Sequence, residues 1–177
     1  MRVYRRVTEE NVEAFRIGDV INFTLTTGEK VEAMAMREEK DGMLFVTVDC
    51  LEEERSMNEA NTTKGGYEKS ELRKALNSEI YDAFPDEIKD KMVAFENGDH
   101  LRLLTYEEVF EENRLEPMRN RRNRIAGRGC NSDELEWWWL QDAFTAAAFA
   151  LVHYYGNATY NGASSANGVR PAFKINI

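Results

Sequence analysis

Residues 17–50 alternate in a way that an antiparallel sheet accommodates and a helix does not. In Ile17-Gly18-Asp19-Val20-Ile21-Asn22-Phe23-Thr24-Leu25, the side chains of Ile17, Ile21, Phe23 and Leu25 share one side of an extended chain, with Asp19 the exception near its start. Thr27-Gly28 reads as a turn. Residues 30–36 form a second run, with Val31, Ala33 and Ala35 opposite Glu32, Met34 and Met36. Asp41-Gly42 is a strong hairpin signal. Residues 43–50 are a third run, apolar enough to imply burial on both faces. The front of the chain is therefore expected to be a β meander.

Helical signals flank it. Thr8 suits a helix cap, Glu9 and Glu10 suit its positive end, and Val12 and Phe15 lie three apart on one face. Residues 58–66 read as a polar loop. Residues 68–77 place Leu72 and Leu76 four apart. Pro85 sits at the first turn of a further predicted helix over residues 86–95, striped by Ile88, Met92 and Phe95 and ended by Asn97-Gly98. Residues 101–104 read as a short strand. Thr105-Tyr106-Glu107-Glu108 reads as a capping box opening a short helix through Phe110. Pro117 interrupts the chain and residues 119–129 form a basic loop. Residues 144–151 are alanine-rich and helical by propensity, but a loop followed by a strand from about Phe149 fits the later pattern better.

Composition narrows the function classes. With 177 residues, a single domain is the expectation. The 23 basic and 32 acidic residues give a net charge of −9, which argues against a nucleic-acid partner. No apolar run is long enough for a membrane helix, and the basic start Met1-Arg2-Val3-Tyr4-Arg5-Arg6 lacks the apolar stretch of a secretory signal. The expected localisation is cytoplasmic or virion-associated. Two cysteines, Cys50 and Cys130, do not make a disulfide framework and are expected as thiols, with Cys50 the less accessible. Neither a metal site nor a cofactor is expected. The two histidines, His100 and His153, have no motif-level nucleophile partner, so no catalytic residue is assigned.

The most informative stretch is residues 142–169. At the chain average of 31% charged residues, its 28 residues would carry roughly nine charges, yet only Asp142 is charged. Lys, Arg, Glu, Gln, Met and Trp are missing. Every residue type present can be reached from an AAC asparagine codon by changing its adenines. Tyr, Ser, Asn and Gly also form a recognition palette: Tyr gives contact area at low entropy cost, and Ser and Asn give adaptable hydrogen bonds. Asp142, Thr145, His153, Tyr155, Asn157, Thr159, Tyr160, Asn161, Ser164 and Ser165 are the candidate ligand-binding side chains. The plainer reading is a turn-rich hairpin in which Gly, Asn and Ser serve backbone geometry.

The order of short motifs carries a resemblance. Ile17-Gly18-Asp19 precedes a strand pair. Then come Ser70-x-Leu72-Arg73-x-x-Leu76-Asn77, Leu103-Leu104-Thr105-x-Glu107-Glu108 and Trp137-Trp138-Trp139-Leu140. Tyr155-Gly156-Asn157-Ala158 and Gly168-Val169-Arg170-Pro171-Ala172-Phe173 close the series. From about Ile17 to the C terminus, the chain resembles an uncharacterised family of bacterial and phage proteins ending in a Gly-Val-Arg-Pro-Ala strand. Its C-terminal part is similar to the C-type-lectin-like domains mutated by diversity-generating retroelements. The resemblance implies an α+β, C-type-lectin-like domain: residues 1–57 an N-terminal helix and antiparallel β meander, 58–118 central helices, 119–177 a C-terminal sheet with display loops. It implies no enzyme. Gln141-Asp142 stand where many relatives carry Arg-Ser, and the calcium-dependent sugar motifs Glu-Pro-Asn and Trp-Asn-Asp are absent.

The expected function is thus non-enzymatic ligand display by a phage- or mobile-element-associated protein, with an unknown protein or surface ligand as partner. The alternative is a structural component of a phage particle that uses the same loops for assembly. Three further features have plain structural readings. Trp137 and Trp139 should face one way in a strand and Trp138 the other, with at least one ring at an edge. The arginines at 119, 121, 122, 124 and 128 should pair with acids such as Glu111, Glu112, Glu116, Glu134 and Glu136. Arg170 should tie loops to a closing strand in which Val169 or Phe173 enters the core.

Overall fold

A computed structural model describes residues 14–176. Alternation and turn chemistry produce the expected meander: β1 (Val20–Thr24), β2 (Lys30–Glu39) and β3 (Gly42–Thr47). The next elements are short: α1 (Glu71–Ala75), α2 (Asp86–Lys89), β4 (Met92–Val93), α3 (Tyr106–Phe110) and α4 (Arg121–Arg124). The last third is β: β5 (Ala126–Gly127), β6 (Leu135–Glu136), β7 (Trp138–Ala143), β8 (Ala148–Val152), β9 (Ala158–Gly162) and β10 (Ala172–Ile175). The fold is mixed α+β, dominated by antiparallel sheet. No helix among the described residues is long and apolar enough to cross a membrane.

The strand order in the large sheet is β1-β2-β3-β10-β4. The C-terminal β10 therefore lies inside a sheet begun at the front of the chain, pairing Phe173 with Phe45 and Ile175 with Met43. Both Val169 and Phe173 are buried, as the alternation around Pro171 implies. A separate three-stranded sheet runs β7-β8-β9, and a two-stranded ribbon pairs β5 with β6.

Two apolar clusters flank these strands. One holds Phe23, Val31, Ala33, Ala35, Phe45, Trp139, Phe149, Leu151 and Phe173. The other holds Met36, Leu44, Val46, Trp138, Leu140, Ala150, Val152 and Ala172. Alternate residues of β3, β8 and β10 enter opposite clusters, so these strands are buried on both faces. The tryptophan triplet obeys the same rule: Trp139 and Trp138 are buried in different clusters, and Trp137, half-buried, packs on the Trp139 side. Asp19, the apolar-face exception, is buried with Oδ2 accepting the Arg16 N–H at 2.8 Å, which closes the turn leading into β1.

The middle of the chain departs from expectation. The predicted helix over 86–95 ends at Lys89, because Met92 and Val93 pair with Ile175 and Lys174 at the edge of the large sheet. Strand pairing outweighs the helical stripe, and Asn97-Gly98 instead closes a tight turn over 95–99. Residues 68–77 split into a 3-10 turn (Tyr67–Lys69), α1 and a π-helical turn (Leu76–Ile80), as Asn77 leaves helical geometry to hold residues 100–101 through its side chain. The predicted strand at 101–104 is reduced to one bridge between Arg102 and Ala172. The basic loop contains α4, capped by Asn120. The capping box at Thr105 is fully formed. The predicted helix cap at Thr8, with Glu9, Glu10 and Val12, lies outside the described residues, while Phe15 packs edge-on against Phe45 at 5.1 Å.

Candidate functional site

The charge-poor stretch builds β8, β9 and their connections. Because β8 is buried on both faces, the exposed side chains sit on β9 and at the two ends of the sheet. Six large apolar or aromatic residues are notably exposed among the described residues, and four belong to this stretch: Phe144 (63%), Tyr154 (40%), Tyr155 (59%) and Tyr160 (54%).

They form two groups. Phe144 and Tyr160 stack with centroids 4.6 Å apart and planes 16° from parallel. At the β8–β9 turn, His153 lies 4.9 Å from Trp137, 5.1 Å from Tyr154 and 5.4 Å from Tyr155. That turn is held from below by the basic segment. Arg121 Nε donates to the Tyr155 carbonyl, and Arg124 Nε to the Gly156 carbonyl at 2.9 Å. Arg124 Nη1 also reaches the Met118 carbonyl at 2.6 Å. Gly156 has φ 82, a conformation that favours glycine, and its N–H donates to the His153 carbonyl at 2.9 Å. Two of the clustered arginines thus serve backbone carbonyls rather than acids. Arg119 and Arg128 do pair with acids, at Glu116 (3.2 Å) and Glu54 (2.8 Å).

The ten sequence-named residues divide by what they touch. Asp142 Oδ1 accepts the Tyr106 N–H at 2.7 Å, tying β7 to the start of α3. The Thr145 hydroxyl accepts the Ala147 and Ala148 N–H groups, and its carbonyl accepts the Thr63 hydroxyl at 2.7 Å. Asn161 Oδ1 accepts from Gly162 N–H at 2.8 Å and from the Ser165 hydroxyl at 3.2 Å. Ser164 donates to Asn61 Oδ1. These five order the backbone of the face. His153, Tyr155, Asn157, Thr159 and Tyr160 lie on the β8–β9 hairpin, with Tyr155, Asn157 and Tyr160 exposed. Phe144 and Tyr154 are exposed in the same stretch but are not among the ten; an aromatic inside a stretch nearly free of charge is the signal that marks them.

Behind the face, Arg170 ties the two sheets together. Its buried guanidinium donates to the Thr47 carbonyl at 2.9 Å and the Asn123 carbonyl at 3.1 Å, and its centre lies 4.4 Å from the Trp138 ring. This is the tie between loops and closing strand expected from sequence.

A cleft of about 1050 Å³ lies elsewhere, lined by Arg37, Tyr67, Phe95, Arg102, Gln141 and Lys174 among others. Four of its cations, Arg37, Arg73, Arg102 and Lys174, are already paired. Arg102 grips Glu108 at 2.7 and 2.9 Å, Arg37 reaches Glu108 at 3.1 Å, Arg73 reaches Asp99 at 2.7 Å, and Lys174 reaches Asp41 at 2.9 Å. An anion binding to any of these four would have to displace a carboxylate, so this part of the cleft reads as an ion-pair frame. Burial pushes the Glu108 carboxyl up, but its bonds to Arg102 prevail and hold it below the usual carboxylate range. Glu136, with fewer donors, is pushed up by burial and by Glu54.

His100 stacks on Tyr81 at 4.8 Å. Cys50 is buried, which raises its thiol pKa, and no disulfide joins it to Cys130, whose Sγ lies 3.3 Å from Glu32 Oε1. Among the described residues no group of three or more His, Cys, Asp or Glu side chains is placed to hold a metal ion.

No curated protein and no solved structure matches this chain. A family profile does match, over residues 41–177, which takes in β3, the ion-pair frame except Arg37, and the whole three-stranded C-terminal sheet. The chain therefore belongs to the family described as Domain of unknown function (DUF6273).

Proposed function

We propose that this protein is a non-enzymatic display protein. It binds a protein or surface ligand through the face of its C-terminal sheet, on a C-type-lectin-like frame of the kind diversified by retroelements. The observation that carries the reading is the concentration of exposed aromatics in the stretch of lowest charge. Phe144, Tyr154, Tyr155 and Tyr160 fall within 17 residues, on a backbone fixed by Arg121, Arg124, Thr145 and Asn161. A neutral face with few ions to dehydrate and many hydrogen-bonding groups is cheap to bury against a partner. Tyr155 and Tyr160 are the anchors, and Asn157 at the turn supplies an adaptable polar contact; Thr159 adds one on the opposite side of β9 from Tyr160. Asp142, Asn161, Ser164 and Ser165 order the loops around the anchors.

Sequencing the gene and its neighbourhood in closely related isolates tests the reading. Substitutions gathered at the codons of the exposed face, beside a reverse-transcriptase gene and a near-copy of the C-terminal coding segment, support it. Changes spread evenly over β1–β10 with no such near-copy contradict it.

A further inference from the structure

The outer edge of β9 has hydrogen-bonding capacity that no described residue uses. His153 N–H donates to the Asn157 carbonyl at 2.7 Å, and Ala163 N–H to the Ala147 carbonyl at 2.7 Å. In the β8–β9 register, where Leu151 faces Thr159 and Phe149 faces Asn161, these bonds set the parity. Thr159 and Asn161 turn their backbone groups toward β8, so Ala158, Tyr160 and Gly162 turn theirs outward. Gly162 is satisfied from its own loop: its N–H meets Asn161 Oδ1 at 2.8 Å, and its carbonyl accepts the Ser165 N–H at 3.0 Å. The N–H and C=O groups of Ala158 and Tyr160 remain, both residues being exposed. The strand Ala-Thr-Tyr-Asn-Gly also carries neither charge nor proline, two of the usual edge protections.

We propose that this edge pairs with the same edge of a second copy of the chain, antiparallel, with the two-fold axis at Thr159. The register follows from which groups are free. Ala158 then faces the partner's Tyr160, and Tyr160 faces the partner's Ala158, making four backbone hydrogen bonds and setting a large side chain against a small one. Local neutrality in an acidic chain makes this the place where a second copy can approach. Each chain carries −9, and residues 142–169 hold only the charge of Asp142, so here two copies meet without opposing like charges. The three-stranded sheets merge into one of six strands. The two Tyr160 rings come to lie on one face as diagonal neighbours, within reach of each other, so that each stacked Phe144–Tyr160 pair continues into its counterpart. The inference does not rest on ligand display; pairing and display can hold or fail separately.

Sedimentation velocity of the full chain from about 10 µM to about 1 mM tests it, a range suited to an interface below the usual stable size. The expected result is a monomer–dimer equilibrium that strengthens with salt, as the net charges are screened. Ala158→Pro removes one outward N–H without touching the β8 ladder, and Ala158→Arg places a charge on the edge. Both should weaken association at least tenfold, with melting temperatures close to that of the unaltered chain. Should the proline variant fold poorly, the arginine variant decides. In the unaltered chain, amide exchange at Tyr160 should slow with protein concentration, while that of Thr159, already bonded to β8, should change little. A chain monomeric at about 1 mM overturns the proposal, as does a dimer unaffected by Ala158→Arg. So does a monomer whose Tyr160 amide is protected only when a peptide of residues 157–163 is added, since the occupant would then be an extended peptide.

Discussion

The rings of Phe144 and Tyr160 stack at the protein surface, 4.6 Å apart, from opposite sides of the buried strand β8. Tyr160 stands opposite Ala150, a side chain too small to block it. Two aromatic rings are thus held in a fixed orientation with much of their surface in water, an arrangement that adds little to the core and much to contact area.

Replacing Tyr155 or Tyr160 with Ala should hardly change folding. Surface substitutions stay within about 0.5 kcal/mol, and loss of the exposed ring pair brings the Tyr160 effect to about 1 kcal/mol at most. For a chain of this size that corresponds to a melting shift of about 2–4 °C or less. Trp139→Ala should cost about 3–5 kcal/mol, because the ring is fully buried and its Nε1–H donates to the Arg55 carbonyl at 2.8 Å. Thermal unfolding of the three variants checks the contrast. Equal losses at all three positions would make the tyrosines part of the core.

Arg124→Lys should loosen the β8–β9 turn. One guanidinium serves the Gly156 and Met118 carbonyls together, a fork that a single ammonium does not reproduce. The expected cost is about 1–2 kcal/mol, with faster amide exchange at Gly156 and unchanged exchange in β3. Hydrogen-exchange mass spectrometry separates this local effect from a global one.

Arg170→Met should be far more damaging, about 3 kcal/mol or more, since it leaves the buried Thr47 carbonyl and the half-buried Asn123 carbonyl without these donors and removes the cation from the Trp138 ring. Urea unfolding monitored by tryptophan fluorescence checks it.

The two buried glutamates give opposite pH signatures. Glu108, held below its ordinary pKa, binds its proton more weakly folded than unfolded. Its stabilisation is present above the unfolded carboxylate pKa and is lost as pH falls through the lower folded value. Glu136, raised by burial, binds its proton more tightly when folded, so it favours folding at acid pH and opposes it once ionised. Glu108→Gln should therefore destabilise at neutral pH and matter little in strong acid. Glu136→Gln should not destabilise at neutral pH. Urea midpoints at several pH values distinguish the two.

Local rules made much of this structure legible in the sequence. Asp41-Gly42 sits at the β2–β3 hairpin, Thr105 and Glu108 complete their capping box, the tryptophans alternate, and residues 172–175 form a buried strand. What resisted reading depended on distant partners. Met92 and Val93 fit a helical stripe but join a sheet because Lys174 and Ile175 lie beside them. The arginines of α4 suggested acid partners, yet Arg121 and Arg124 meet carbonyls more than 30 residues away. Asp142, the lone charge in its stretch, caps a helix formed 36 residues earlier. On the face itself, residue chemistry pointed to the exposed tyrosines. It could not show which polar side chains are occupied by the chain's own backbone.

The central claim is that a fixed frame carries stability while the exposed side chains are free to vary for recognition. The most direct measurement is a library randomised together at Phe144, Tyr154, Tyr155, Asn157 and Tyr160, scored for protease-resistant folding and then for binding to a panel of unrelated purified proteins. The account predicts that most members fold with protease resistance close to that of the original chain, and that specific binders emerge. A library in which most members are unfolded, or one that folds yet yields no binders, would contradict it.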